Sequence, residues 1–153
     1  MIRIPEAVVG FFDRQGFVIV SSIGKDGSIN CSCKGIVSMD PVGKVFLLDL
    51  YLTRTFRNLK ENPAISITNV DEHKFSGYCL KGKAKILPRD KIEPQLLKAW
   101  EDKITSRLTK RLLKNIHDEK GHARHPEVSL PKPEYMIEMD VEEIIDLTPR
   151  HLK

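Results

Sequence analysis

The sequence predicts a mainly β domain of the α+β class, a six-stranded antiparallel barrel with flanking helices. Three observations lead there. The first strand-like segments are joined by short turns, Gly24-Lys25-Asp26-Gly27 and Asp40-Pro41-Val42-Gly43. One short helical segment separates the third strand from the fourth, and a closing strand follows a long amphipathic helix. Closing such a sheet on itself removes the exposed edges that six open strands would present.

Each element has its own signal. Ile4 to Phe12 reads as a short helix with Pro5 near its start. Phe17 to Ile23 is a run of apolar and β-branched residues, which predicts a strand covered on both faces. Ser28 to Met39 alternates: Ile29, Cys31, Cys33, Gly35, Val37 and Met39 share one face, and Asn30, Ser32, Lys34, Ile36 and Ser38 the other. Lys34 shares its face with Asn30 and Ser32, so it can point at a polar ligand rather than the core. Lys44 to Tyr51 is the third strand and Ala64 to Val70 the fourth, followed by a polar loop from Asp71 to Lys74. Gly77 to Leu87 is the fifth, with Tyr78, Leu80, Gly82, Ala84 and Ile86 inward and Cys79, Lys81, Lys83 and Lys85 outward.

Asp90 and Glu93 predict a capping pair for the long helix. Its stripe of Ile92, Leu96, Trp100, Ile104, Leu108, Leu112 and Ile116 reads as packing surface for the core or a dimer. Gly121 to Pro133 is a loop. Glu134 to Leu147 is the last strand, setting Tyr135, Ile137, Met139 and Val141 against Glu134, Glu138, Asp140 and Glu142.

At 153 residues the chain fits a single domain. A chain of this size buries roughly 68–70 % of its unfolded surface, enough for one core. No apolar run approaches the ~20 residues of a membrane span, and the early charges do not suit a secretory signal, so a cytoplasmic protein without a membrane partner is expected. The three cysteines, Cys31, Cys33 and Cys79, are odd in number and lack zinc spacing; they read as reduced strand residues. The net charge of +4 is mixed with acids almost everywhere, which argues against a nucleic-acid partner. Only the lysines at 81, 83 and 85 and the stretch from Lys103 to Lys114 are less mixed, and both read as solvated faces. His117, His122 and His125, with Glu119 and Glu127, match no strong metal pattern, and no metal is expected.

The most informative stretch is Asp49 to Pro63, DLYLTRTFRNLKENP, a strand end running into a short helix that Pro63 stops. The helix opens at Thr53 and carries Arg54 and Arg57 in its first turns, with no acid before Glu61. That order is the reverse of what a helix N-terminus favours, because its free N–H groups carry partial positive charge. Two arginines with Thr53 and Thr55 around those groups suit a bound anion, read here as a phosphate. Arg57 is also four residues from Glu61 and can pair with it instead.

The segments KGIVSMDPVGKVFLLDLYLTRTFRNLKENPAISITNV and GYCLKGKAKIL resemble the pyridoxamine 5′-phosphate oxidase-like superfamily of FMN-binding split β-barrels. The motif Arg54-Thr55-Phe56, Asn58-Leu59, Asn62-Pro63 carries the likeness, with Gly77-Tyr78, Leu80-Lys81-Gly82 and Ala84 as a second. The resemblance implies one FMN-binding split-barrel domain with its core at about 15–88 and 134–148 and a helical insertion at about 89–133. It implies a homodimer with FMN at the subunit interface. Its phosphate would be held by Lys34, Thr53, Arg54 and Thr55, while Ser32, Cys33 and Gly35 line the ring and Leu48 and Asp49 pass it.

The chain departs from the vitamin B6 oxidases in two places. Thr55 stands where they carry a second basic residue, and the C-terminal VEEIIDLTPRHLK has no tryptophan. Oxidation of pyridoxamine phosphate is therefore not expected. The implied function is an FMN-dependent oxidoreductase moving electrons or hydride between a donor such as NAD(P)H and a small molecule. The absence of G-x-G-x-x-G leaves any nicotinamide to bind transiently over the flavin. The alternatives are a non-enzymatic FMN-binding protein or electron carrier, a barrel whose ligand is haem or a deazaflavin or has been lost, and a nucleic-acid barrel using the lysine face.

Overall fold

In the computed structural model of the chain, residues 1–49, 53–116 and 133–153 are described, without the side chains of residues 107, 108, 110–112 and 114–116. The elements are α1 (Glu6–Asp13), β1 (Val18–Ile23), β2 (Ile29–Asp40), β3 (Lys44–Leu48), α2 (Arg54–Glu61), β4 (Ala64–Asp71), β5 (Ser76–Pro88), α3 (Pro94–Ile116) and β6 (Tyr135–Asp146). The strands close into a barrel in the order β1-β2-β3-β6-β5-β4, with β4 returning to β1 and every pairing antiparallel. Leu50 and Tyr51 of the expected third strand, and the loop expected from Gly121 with its histidines, lie outside the described residues.

The barrel interior follows from alternation. Val18 and Val20 of β1, Val45 and Leu47 of β3, Ile65 and Ile67 of β4, and Ile137, Met139 and Val141 of β6 meet there. On β5 the inward set is the expected one, with Leu80 and Ala84 buried and Tyr78 and Ile86 packed against the same core. Helix α1 adds Val8, Phe11 and Phe12, and α2 adds Leu59. A second apolar layer lies outside the wall, where Val37 and Met136 pack with Leu96 of α3 and with Ile92 just before it.

Three expectations change. First, β1 is not covered on both faces: Val18 and Val20 are buried, whereas Ile19 is 43 % exposed and its neighbours Ile23 and Phe17 are also exposed. Second, β2 keeps the expected alternation only as far as Ile36, and its polar face is the inner one. Ile29, Cys31 and Cys33 are exposed, and Lys34 and Ile36 are buried on the inner side. A bulge between Ile36 and Ser38 then reverses the parity. Ile36 and Met39, three residues apart, both enter the barrel core, and Val37 between them joins the outer layer. The Lys103 ammonium of α3 donates to the Ile36 carbonyl at the bulge, at 2.7 Å. Third, α3 begins at Pro94, a residue suited to the first helical position, and Asp90 sits in a separate 3₁₀ turn.

A second bulge falls between Lys81 and Gly82 opposite Val141 and Glu143. A Cβ at Gly82 would lie 1.9 Å from the Asp140 carbonyl oxygen, so this crossing requires glycine. The lysines of β5 meet acids of β6: Lys81 with Glu143 at 3.3 Å, Lys83 with Glu142 at 3.7 Å and Lys85 with Asp140 at 3.5 Å. Exposed pairs of this kind stabilise little. They do counter the positive charge that a polyanion surface would need.

Candidate cofactor site

Helix α2 buries Thr55, Asn58 and Leu59, the i, i+3, i+4 spacing of one helical face. Its opposite face leaves Thr53, Arg54, Arg57 and Lys60 in solvent. The buried polar groups of that helix are matched across the barrel wall. Asn58 Nδ2 donates to Ser22 Oγ at 3.0 Å, and Thr55 Oγ1 shares a hydrogen bond with Ser32 Oγ at 3.0 Å. Thr53 stands at the N-cap without a side-chain capping bond, and no acid occupies the first turn. The first-turn N–H groups of an α-helix have no acceptor within the helix, so this end presents donors beside two guanidinium groups. Arg54 also reaches the β1–β2 turn electrostatically. The Asp26 carboxyl there is held below the usual carboxylate range by hydrogen bonds from Ser28 first, with the Arg54 charge the smallest contribution.

Beneath this helix end lies a row of charge inside the wall. Gly35 of β2 pairs with Leu48 of β3, and Leu48 pairs with Met136 of β6. One step along each strand, Lys34, Asp49 and Tyr135 therefore fall side by side. Lys34 Nζ donates to Asp49 Oδ1 at 2.7 Å, and the Tyr135 hydroxyl donates to Asp49 Oδ2. Asp49 is 1 % exposed and Lys34 9 %. Burial, and then the hydrogen bond to Asp49, pushes the Tyr135 hydroxyl well above the usual phenol range, so it stays a donor. Phe56 of α2 packs edge-on against the Tyr135 ring at 4.8 Å, joining the row to the helix.

The nine residues singled out from the sequence divide between two sides of the wall. Ser32, Lys34, Asp49 and Thr55 come together in the buried cluster. Thr53 and Arg54 are exposed at the start of the helix whose Thr55 and Phe56 touch that cluster. Cys33 is exposed on the outer face, and Leu48 packs in the outer layer. Gly35, opposite Leu48 in the ladder, shares that outward parity. Sequence reasoning missed Ser22, Asn58 and Tyr135. Tyr135 offered a signal, since a buried tyrosine hydroxyl needs an acceptor. Asn58 stood in the motif that carries the resemblance without a role, and Ser22 offered no signal, the two being 36 residues apart and joined only by tertiary packing.

On the outer face a groove of about 470 Å³ runs over Ser21, Ile23, Ile29, Ser66, Lys81 and Glu143. In register, Cys31, Ser21, Ser66 and Lys81 form one cross-strand row, flanked by Cys33, Ile19, Thr68 and Cys79. Up to β5 these two rows carry only uncharged side chains, most of them small. Among the described residues no cluster of His, Cys, Asp and Glu could hold a metal ion, and no helix is long and apolar enough to cross a membrane.

Comparison with known proteins agrees with this architecture. HupZ of Group A Streptococcus shares 18 % identity over 95 % of this chain and 94 % of its own, with a TM-score of 0.67. An FMN-binding protein from Syntrophomonas wolfei subsp. wolfei shares 12 % over 94 % and 86 %, with a TM-score of 0.63. A protein described as F420 reductase shares 14 % over 93 % and 98 %, with a TM-score of 0.56. At these identities the likeness shows a common fold. A search of curated proteins returned no match. The sequence model described as pyridoxamine 5′-phosphate oxidase matches residues 4–147, a span that takes in the whole barrel, the helix carrying Arg54 and the buried row beneath it. With its six strands closed as described, this chain belongs to the pyridoxamine 5′-phosphate oxidase family.

Proposed function

We propose that the protein is an FMN-dependent oxidoreductase that works as a homodimer on a small molecule other than pyridoxamine phosphate, with NAD(P)H as electron donor. The observation that carries this reading is the start of α2. Arg54 and Arg57 are exposed around free first-turn N–H groups, with no acid in that turn, in a chain of this family. That donor set fits a phosphate monoester. Thr53 and Arg54 would hold the phosphate, and Thr55 would hold Ser32 and the helix start in place. A bound flavin supplies the redox chemistry itself; the protein binds it, orients it and excludes water. Support for a second subunit comes from the outer face of β1 and the start of β2, where Ile19, Ile23, Ile29, Cys31 and Cys33 are exposed beside small residues.

Titrating the apoprotein with FMN tests the reading. FMN should bind with its visible spectrum perturbed, and Arg54→Ala should weaken binding by about 1.5–3 kcal/mol, the range for a hydrogen bond to a charged group. Calorimetry that finds no loss would place the phosphate elsewhere. Anaerobic bleaching by NADPH or NADH, followed by reoxidation with an added acceptor, separates an enzyme from a flavin carrier. Light scattering that finds a monomer with tightly held FMN would remove the dimer from the reading.

A further inference from the structure

We infer that Asp49 sets the charge pattern of the site, so that Lys34 does not hold the cofactor's terminal phosphate and Arg54 does. This rests on the flavin reading above and specifies which cation recognises the phosphate. The Lys34 ammonium lies 2.7 Å from Asp49 Oδ1, with side chains 8 % and 1 % exposed. The other carboxylate oxygen takes the Tyr135 hydroxyl. Lys34, Asp49 and Tyr135 thus form a closed, electrically neutral unit inside the wall.

A phosphate approaching Lys34 would have to displace Asp49. That exchange leaves a buried carboxylate beside the phosphate's own negative charge, and it leaves the Tyr135 hydroxyl without its acceptor. Phe56 packs edge-on against the Tyr135 ring on the helix side of the row. Arg54 carries no such constraint. It is exposed, with no ion pair to an acid among the described residues, next to the first-turn N–H groups of α2. The physical consequence is that the phosphate sits at the outer mouth of the helix. The inner row meets only neutral, hydrogen-bonding parts of a ligand.

The test compares FMN with riboflavin, which lacks the phosphate, by flavin fluorescence titration of the full-length protein. The readout is the ratio of the two affinities, which a merely structural defect would not move. Arg54→Ala should cut that ratio by about 10- to 100-fold. The triple variant Lys34→Met/Asp49→Leu/Tyr135→Phe, an apolar replacement of the whole row, should leave the ratio unchanged. Asp49→Asn removes the negative charge, keeps its amide oxygen as the acceptor for Lys34 and turns its Nδ2 as a donor to the Tyr135 hydroxyl; it should raise the ratio about tenfold by exposing the Lys34 charge to the site. A collapse of the ratio in the triple variant, or no change in Asp49→Asn, overturns the inference while leaving the flavin reading intact. Failure of the wild type to bind either flavin overturns the flavin reading, and this inference with it.

Discussion

Replacing Asp49 with leucine removes the acceptor shared by Lys34 and Tyr135 and leaves an ammonium group enclosed by the barrel wall. At 2.7 Å the gross attraction between the two charges is about 6 kcal/mol for an effective dielectric constant near 20. Most of it offsets the cost of taking both ions out of water. The loss on removing one partner is therefore larger than the net value of the pair: about 3–5 kcal/mol, since the remaining charge stays buried and unmatched. A domain of this size has roughly 5–15 kcal/mol in total. At about 2–4 °C per kcal/mol, Asp49→Leu should lower Tm by about 6–20 °C. Urea unfolding followed by circular dichroism on the ligand-free protein gives the free energy directly. The triple variant Lys34→Met/Asp49→Leu/Tyr135→Phe should recover to within about 2 kcal/mol of wild type, because an apolar row of similar volume demands no desolvation of charge. A loss below about 1 kcal/mol for Asp49→Leu would mean that Lys34 reaches water, and the buried row would then be wrong.

Three further outcomes follow from the same geometry. Tyr135 has a folded-state pKa above its unfolded value near 10, so its contribution is complete below about pH 10 and is lost as the pH rises beyond it. Wild-type stability should fall more steeply above that pH than that of Tyr135→Phe, by about 1.4 kcal/mol per pH unit, measured by urea unfolding between about pH 9 and 11. Gly82→Ala forces a methyl group to within 1.9 Å of the Asp140 carbonyl and should cost about 1–3 kcal/mol or more as β5 and β6 separate; a neutral result by thermal unfolding would remove the close crossing. Ile29, 77 % exposed beside Ile23 on the outer face, should be covered in a dimer, so Ile29→Asp should shift the protein towards monomer in light scattering while monomer stability changes by no more than about 0.5 kcal/mol.

How far the sequence could be read depended on what each residue's signal was made of. The two faces of β5 were legible because the strand alternates strictly and buries one of them. The start of α2 was legible because two arginines at a helix N-terminus violate a local electrostatic preference. On β1, apolar composition predicted two covered faces, but composition cannot distinguish a face inside one chain from a face left for another. On β2, alternation sorted the faces correctly as far as Ile36, but it could not show that the face of Ser32 and Lys34 turns inward to partners on α2 and beyond β3, nor that the bulge at Ile36–Ser38 changes the parity partway. Asp49 was picked out as a residue near the ring. Its engagement with Lys34, 15 residues away, depends on the β2–β3 register, which no single segment encodes.

The bulge in β2 has a mechanical corollary. One strand belongs to two packing layers, and the switch occupies a single peptide, whose carbonyl is also the anchor for Lys103. Deleting one residue there would turn Met39 out of the barrel and unfasten the long helix in the same stroke. The fit of α3 to the outside is thereby indexed to the filling of the inside. The seat of the long helix on the barrel thus depends both on that crease and on Leu96, which packs with Val37 just beside it.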